Sequence, residues 1–222
     1  MDASQLKNIV GELREGEVAT IRFYGKITEE SASRFNNEFD YIESCRPSLI
    51  RVLINCEGGS VMHGMSSYAT IQNSKIPTEC INEGMAASMG SIRWAAGTRS
   101  LMRDYAILMI HNPFLPSAGD SKADDMVAAF TRQISTIYRK RFGLSGKHVE
   151  AIMNGEAGWD GIFFDCESAV KAGITPPGQH SQHYAATARA GARRTLRPSG
   201  RGRDSDDDVP HKRRGGRPGI GV

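Results

Sequence analysis

The sequence contains no run of eighteen apolar residues, so no segment reads as a membrane-spanning helix. Its first residues, MDASQLKNIVGELREGE, lack the apolar stretch of a secretory signal, and export by that route is not expected. Cysteine is scarce: Cys45, Cys56, Cys80 and Cys166 lie far apart, with no CxxC pair. That spacing excludes a zinc ribbon and argues against a disulfide framework, and it fits a reducing, cytoplasmic compartment. A Walker-type phosphate loop is also missing, so any dependence on ATP would have to come from a partner. Hydrophobic residues make up 39% against 24% charged, which is low for a chain folded from end to end.

What is present divides unevenly along 222 residues, a length that suits one domain plus an extension or two small domains. From Gly178 onward ten Lys and Arg stand against four Asp, a net of +6, which leaves −3 for the residues before it. This basic end, with GRGRDSDDD and KRRGGRPG, is rich in Gly, Arg, Ser and Ala and has little to bury. Such a composition cannot offset the entropy of ordering, so residues 176–222 are expected to form a disordered tail. Binding of nucleic acid or an acidic partner is the functional alternative for that tail.

The body reads as alternating strands and helices. Glu17–Ile27 alternates apolar and polar residues between Gly16 and Gly25, as a half-buried strand does. Thr28 is an N-cap candidate for a helix to Tyr41. Leu49–Asn55 is a β-branched strand that stops at Glu57-Gly58-Gly59, and a helical pattern follows over Val61–Ser74. Next come a short strand at Thr78–Asn82, a helix of small residues over Met85–Ala96 ended by Gly97, and strands at Ser100–Arg103 and Ala106–Ile110. Asp120–Phe142 is a long amphipathic helix with Met126, Phe130, Ile134 and Ile137 on one stripe. Helices at Ser145–Asn154 and Asp165–Ala172 complete the pattern, the second stopped by Gly173. Strands alternating with helices define an α/β domain of βαβ type over roughly 15–175, and residues 1–16 form a lead-in of one or two helical turns.

Three stretches carry chemistry. INEGMAASMGSIRWAAG sets Ser88 among small residues where a strand gives way to a helix, a junction that exposes a side chain and aims free N–H groups at it. The geometry suits a nucleophilic hydroxyl beside an oxyanion site, although a serine among alanines is more often close helix packing. The pattern is not G-x-S-x-G, which sets that hydrolase class aside. NCEGGS puts two glycines after an apolar strand, where backbone can approach a ligand. AILMIHNP ends a strand with His111, placed as a general base would be, although a lone histidine there more often caps or packs. His63 reads as a surface residue, Cys56 and Cys80 as core, and Asp104, Asp120, Asp124 and Asp125 as loop or cap charges.

INCEGGSVMHGM, GMAASMG and ILMIHNP, in this order and at these separations, resemble the proteolytic subunit of the Clp protease family over about residues 17–175. LMIHNP and the short lead-in resemble most closely the Clp-like head-maturation proteases of tailed phages. The resemblance implies a crotonase-like β/α superhelix assembled into rings, and a serine peptidase without metal or cofactor. It makes Ser88 the nucleophile, His111 the base, and the N–H groups of Gly59 and Met89 the oxyanion hole. The acid departs from the family pattern. In NGEAGWDGIFFDCESAVKAGI a strict count back from Phe163 lands on Gly161, so a bulge of one residue would bring in Asp160; Asp165 and Glu156 are the rivals. Its role would be to orient the imidazole and stabilise its charged form. Glu57 stands where the family has proline, which implies a looser oxyanion turn.

Two versions of a serine endopeptidase follow. One matures capsid and scaffold proteins without an unfoldase, and the sixteen residues before the first strand favour it. The other is a housekeeping subunit working with an ATP-driven unfoldase. A ring scaffold without activity is a non-enzymatic alternative. An acyl-CoA enzyme of the same superfold is disfavoured by the Ser–His pair.

Overall fold

The computed structural model describes residues 6–114, 121–156 and 162–174. The elements in chain order are β1 (Ile9–Val10), β2 (Val18–Tyr24), α1 (Glu29–Ser44), β3 (Leu49–Cys56), α2 (Val61–Gln72), β4 (Thr78–Ala87), α3 (Met89–Ala95), β5 (Arg99–Met102), β6 (Ile107–Met109), α4 (Ser121–Phe142), α5 (Gly146–Met153), β7 (Phe163–Phe164) and α6 (Cys166–Lys171). One mixed sheet runs β1-β2-β3-β4-β6-β7, with β5 also paired to β4. Its centre is parallel and its two edge strands, β1 and β7, are antiparallel.

The alternation in β2 sends Ala19, Ile21 and Phe23 into the core. There they meet Phe35, Phe39 and Ile42 of α1, a helix begun by a capping box between Thr28 and Ser31. Phe23 meets Phe35 edge to face at 5.6 Å. Each large apolar side chain removed from water in this way stabilises the fold by about 1.5–3 kcal/mol. Cys56 and Cys80 are buried here as expected. On the other side of the sheet Leu53, Ile81 and Leu101 form a small separate cluster. Among the described residues no helix is long and apolar enough to cross a membrane.

Four expectations change. The lead-in contributes strand β1, with Ile9 opposite Ile21, in place of helical turns. Strand β4 does not stop at Asn82. It runs to Ala87, so the helix expected from Met85 begins at Met89. At Glu83-Gly84 the chain bulges against β3, where pairing jumps from Ile54–Asn82 to Cys56–Ala86. The Asn55 side chain patches the bulge by accepting the Met85 N–H at 3.1 Å. Past the bulge, β4 leaves β5 and pairs with β6, which positions the site. The third change is β7, too short to show a period of its own. The fourth is α4: Ile134 is buried as expected, but Met126 is 47% exposed and the stripe continues instead through buried Tyr138. The tail 176–222 and Asp120 lie outside the described residues.

Candidate active site

Parallel pairing brings the site together. Met85–Ala87 of β4 lie beside Ile107–Met109 of β6, and Ser88 N–H donates to Met109 O at 2.9 Å. Ser88 and His111 therefore leave adjacent strands at the same level, and His111 Nε2 lies 2.8 Å from Ser88 Oγ. The histidine is held from both sides. Ile110 N–H donates to Ile162 O and Asn112 N–H to Met153 O, while the Asn112 amide donates to Asn154 Oδ1 at 2.7 Å. The ring is half-buried and lies 5.8 Å from the exposed Phe114 ring. Desolvation lowers its pKa from the ordinary 6.5, only partly offset by a hydrogen bond with the Asn112 backbone. At neutral pH that keeps the imidazole uncharged, the form able to accept a proton.

Ser88 turns the chain from β4 into α3 with φ 53° and ψ −122°. A side-chain-bearing residue in that region costs on the order of 1–3 kcal/mol, and the sharp turn lifts its hydroxyl off the sheet end. The Gly58-Gly59 turn packs directly behind it. Both glycines have positive φ (96° and 138°), and a Cβ on Gly58 would lie 2.7 Å from Ser88 Cβ. Three bonds fix this turn: Ile27 N–H to Gly58 O at 2.7 Å, Ser60 N–H to Ile27 O at 3.0 Å, and Gly58 N–H to Cys56 Sγ at 3.3 Å. Because Ile27 bridges to the residues on either side of Gly59, the Gly59 N–H faces the opposite way. Met89 opens α3, so its N–H has no acceptor within the helix.

These groups line a cleft of about 620 Å³, whose apolar wall includes Ile92, Met109, Ile134 and Tyr138. Ser88, His111, Gly59 and Met89 are thus gathered within one cleft, and Glu57 lies exposed at its rim. Asp160 lies outside the described residues. Asp165 is occupied as the N-cap of α6, where it accepts Ser168 N–H at 2.8 Å and Ser168 Oγ–H at 2.7 Å. Those bonds, the hydroxyl first, hold its pKa below the ordinary carboxylate value. Glu156 is exposed at the end of α5. His63 is half-buried on α2, and Asp104 caps its own turn through Tyr105 N–H.

Three residues escaped the sequence reading. Ser91 and Tyr138 join the turn at Ser88 to α4, at 2.6 Å between their hydroxyls. Their only sequence signals are spacings, i+3 from Ser88 and i+4 from Ile134. Arg93 is fully buried, with its guanidinium 3.6 Å over the Phe23 ring and one N–H on Ser67 Oγ at 2.5 Å. Burial lowers its pKa to about 10. An arginine in a stretch of small residues gave no sign of that depth.

Ser88 is turned out of a strained strand–helix junction on an α/β sheet, with the His111 ring on its hydroxyl and the Gly58-Gly59 turn behind it. The sequence model described as Clp protease matches residues 2–175, and the chain belongs to that family. Among curated relatives it is 34% identical over 109 residues to the ATP-dependent Clp protease proteolytic subunit of Cyanophora paradoxa. That match covers 48% of this chain and 55% of the relative, so the chain spans about half the length of that protein. Among solved structures it is similar to the ClpP1 N165D mutant from Listeria monocytogenes, with TM-score 0.62 and 22% identity over 70% of this chain and 88% of that one. The fold is therefore that of the Clp protease subunits.

Proposed function

We propose that the protein is a serine endopeptidase that cleaves polypeptides through an acyl-enzyme. The observation that carries this reading is the 2.8 Å contact between His111 Nε2 and Ser88 Oγ within the cleft. Ser88 Oγ attacks the scissile carbonyl carbon while its proton passes to His111 Nε2. The carbonyl oxygen gains the negative charge and is received by the N–H groups of Gly59 and Met89. Collapse breaks the C–N bond, and His111 returns the proton to the departing amine. A water molecule, deprotonated by the same histidine, then hydrolyses the ester and frees Ser88. Asp160 completes the triad in this reading by orienting the imidazole.

Family membership supports assembly of several copies into a ring that encloses these sites, and the four widely spaced cysteines fit work in a reducing cytoplasm. The LMIHNP motif supports a finer reading, in which the substrates are capsid and scaffold proteins cut without an unfoldase. The basic tail would then be free to contact nucleic acid or an acidic partner.

Fluorophosphonate labelling tests the chemistry. The wild type should be labelled at Ser88 and cleave unstructured peptides, and Ser88→Ala should do neither while keeping its fold. Undiminished turnover in Ser88→Ala would sink the assignment, and an intact, unlabelled wild-type ring would mark a scaffold. Cleavage of shell or scaffold protein in the absence of nucleotide separates the maturation reading from an unfoldase-driven one.

A further inference from the structure

Ser88 O is the acceptor of two bonds from the same residue, Ser91 N–H at 3.0 Å and Ser91 Oγ–H at 2.5 Å. A serine hydroxyl has one hydrogen, and here it is spent on Ser88 O. The 2.6 Å contact between Ser91 Oγ and Tyr138 OH therefore has the tyrosine as donor. The result is a directed chain from Tyr138 O–H to Ser91 O–H to Ser88 C=O. Its far end is rigid: Tyr138 is buried and stacks on Phe142 at 5.9 Å, and Phe142 packs on Trp94 at 5.8 Å. Tyr138 and Ser91 are both buried, so the link between their hydroxyls is shielded from competing water.

The carbonyl it ends on shares a peptide unit with Met89 N–H. A trans peptide is planar, with C=O and N–H pointing in opposite directions, so fixing one end aims the other. Hydrogen bonds accepted by a carbonyl also polarise the peptide and make its N–H a better donor. We propose that Ser91 and Tyr138 are positioning residues that aim and strengthen the Met89 N–H as an oxyanion donor. This rests on the reading of Ser88 as nucleophile. A donor directed at charge that exists only in the tetrahedral state acts on kcat and leaves substrate binding alone.

The variants Ser91→Ala and Tyr138→Phe each remove one link with little change in shape. Peptide turnover should show kcat lowered about tenfold, less than the 10²–10³ lost with a whole oxyanion donor, and KM unchanged within about twofold. The double variant should fall no further than Ser91→Ala, because the links are in series. A peptide boronate, whose tetrahedral adduct occupies the same site, should lose affinity in step with kcat. A second readout is independent of activity. Ser88-Met89 is the only Ser-Met step in the sequence, so labelling serine carbonyls with 13C and methionine with 15N isolates one correlated amide. Its carbonyl resonance should move in the same direction in both single variants. A stationary resonance, or a raised KM with kcat intact, would overturn the proposal. If Ser88→Ala still cleaves peptides, the nucleophile assignment fails on its own, and the resonance still decides whether the chain fixes this peptide.

Discussion

His111 Nε2 reaches Ser88 Oγ at 2.8 Å because Ala87 and Met109 are paired in parallel strands, one residue before the serine and two before the histidine. His111 stands at the end of one strand and Ser88 at the end of its neighbour, so the sheet register brings the two side chains together. Burial of this ring has a consequence in pH. Its pKa is lowered, so the neutral, competent form persists below 6.5. The profile of kcat/KM should rise with an inflection below that value, and an inflection above it would mean that a carboxylate charge outweighs desolvation. Stability moves the same way. Between the lowered folded value and 6.5 the unfolded chain binds more protons than the folded one, so the contribution from His111 is lost as pH falls through that window.

The strain at Ser88 should be measurable apart from catalysis. At φ 53° glycine is unstrained, whereas alanine carries the same Cβ penalty as serine. Ser88→Gly should therefore raise unfolding stability by about 1 kcal/mol, and Ser88→Ala should leave it within a few tenths. Both should be inactive. Equal denaturation midpoints for the two variants would show that the turn is not strained.

Gly58→Ala attacks the same junction from behind. A methyl group there would stand 2.7 Å from Ser88 Cβ and 2.8 Å from Ala87 O, on a backbone at φ 96°. Something must shift, and Ser88 is what it meets. The variant should lose about 2–4 kcal/mol of stability, and its remaining folded fraction should turn over at least about a hundredfold more slowly. A folded Gly58→Ala enzyme with wild-type kcat would mean that the glycine turn does not touch the reactive geometry.

Sequence patterning exposed the parts of this molecule that repeat over several residues. The alternation of Ala19, Ile21 and Phe23, the apolar run of β3 and the cap at Thr28 correspond to what the chain folds into. His111 stands just past a readable strand, whereas Ser88 drew attention through the small residues around it, since the strand that leads into it was expected to stop at Asn82. What stayed hidden depends on contacts between distant segments. The continuation of β4 past Gly84 is held by Asn55, thirty residues away, and no local rule announces it. Ser91 meets Tyr138 across forty-seven positions, and two hydroxyls so far apart look like solvated or packing residues until the fold joins them. Nothing local marks Arg93 as buried, and two aromatic rings and a serine take it inside.

The two candidate acids, Asp165 and Asp160, answer to separable demands. Asp165 serves the structure, since its carboxylate takes both the N–H and the hydroxyl of Ser168 at the start of α6. Removing it by Asp165→Ala should cost about 1 kcal/mol, as loss of an N-cap does, with kcat retained. Its lowered pKa gives a sign to the pH dependence. The stabilising contribution is present above the ordinary value of 3.8 and fades as pH falls through the lower folded value, so Asp165→Ala should flatten the acid limb of the stability curve. Asp160, proposed to orient His111, should behave in the opposite way. Asp160→Asn should leave the denaturation midpoint in place and lower kcat by about 10⁴, because an amide can donate to the imidazole and leave its proton on the nitrogen facing Ser88. Rate and midpoint measured on both variants assign the roles. If Asp165→Ala is the stable but inactive protein, the acid is misplaced. If neither variant loses turnover, His111 either works with Ser88 as a dyad, oriented by its backbone clamp at Ile110 and Asn112, or recruits Glu156.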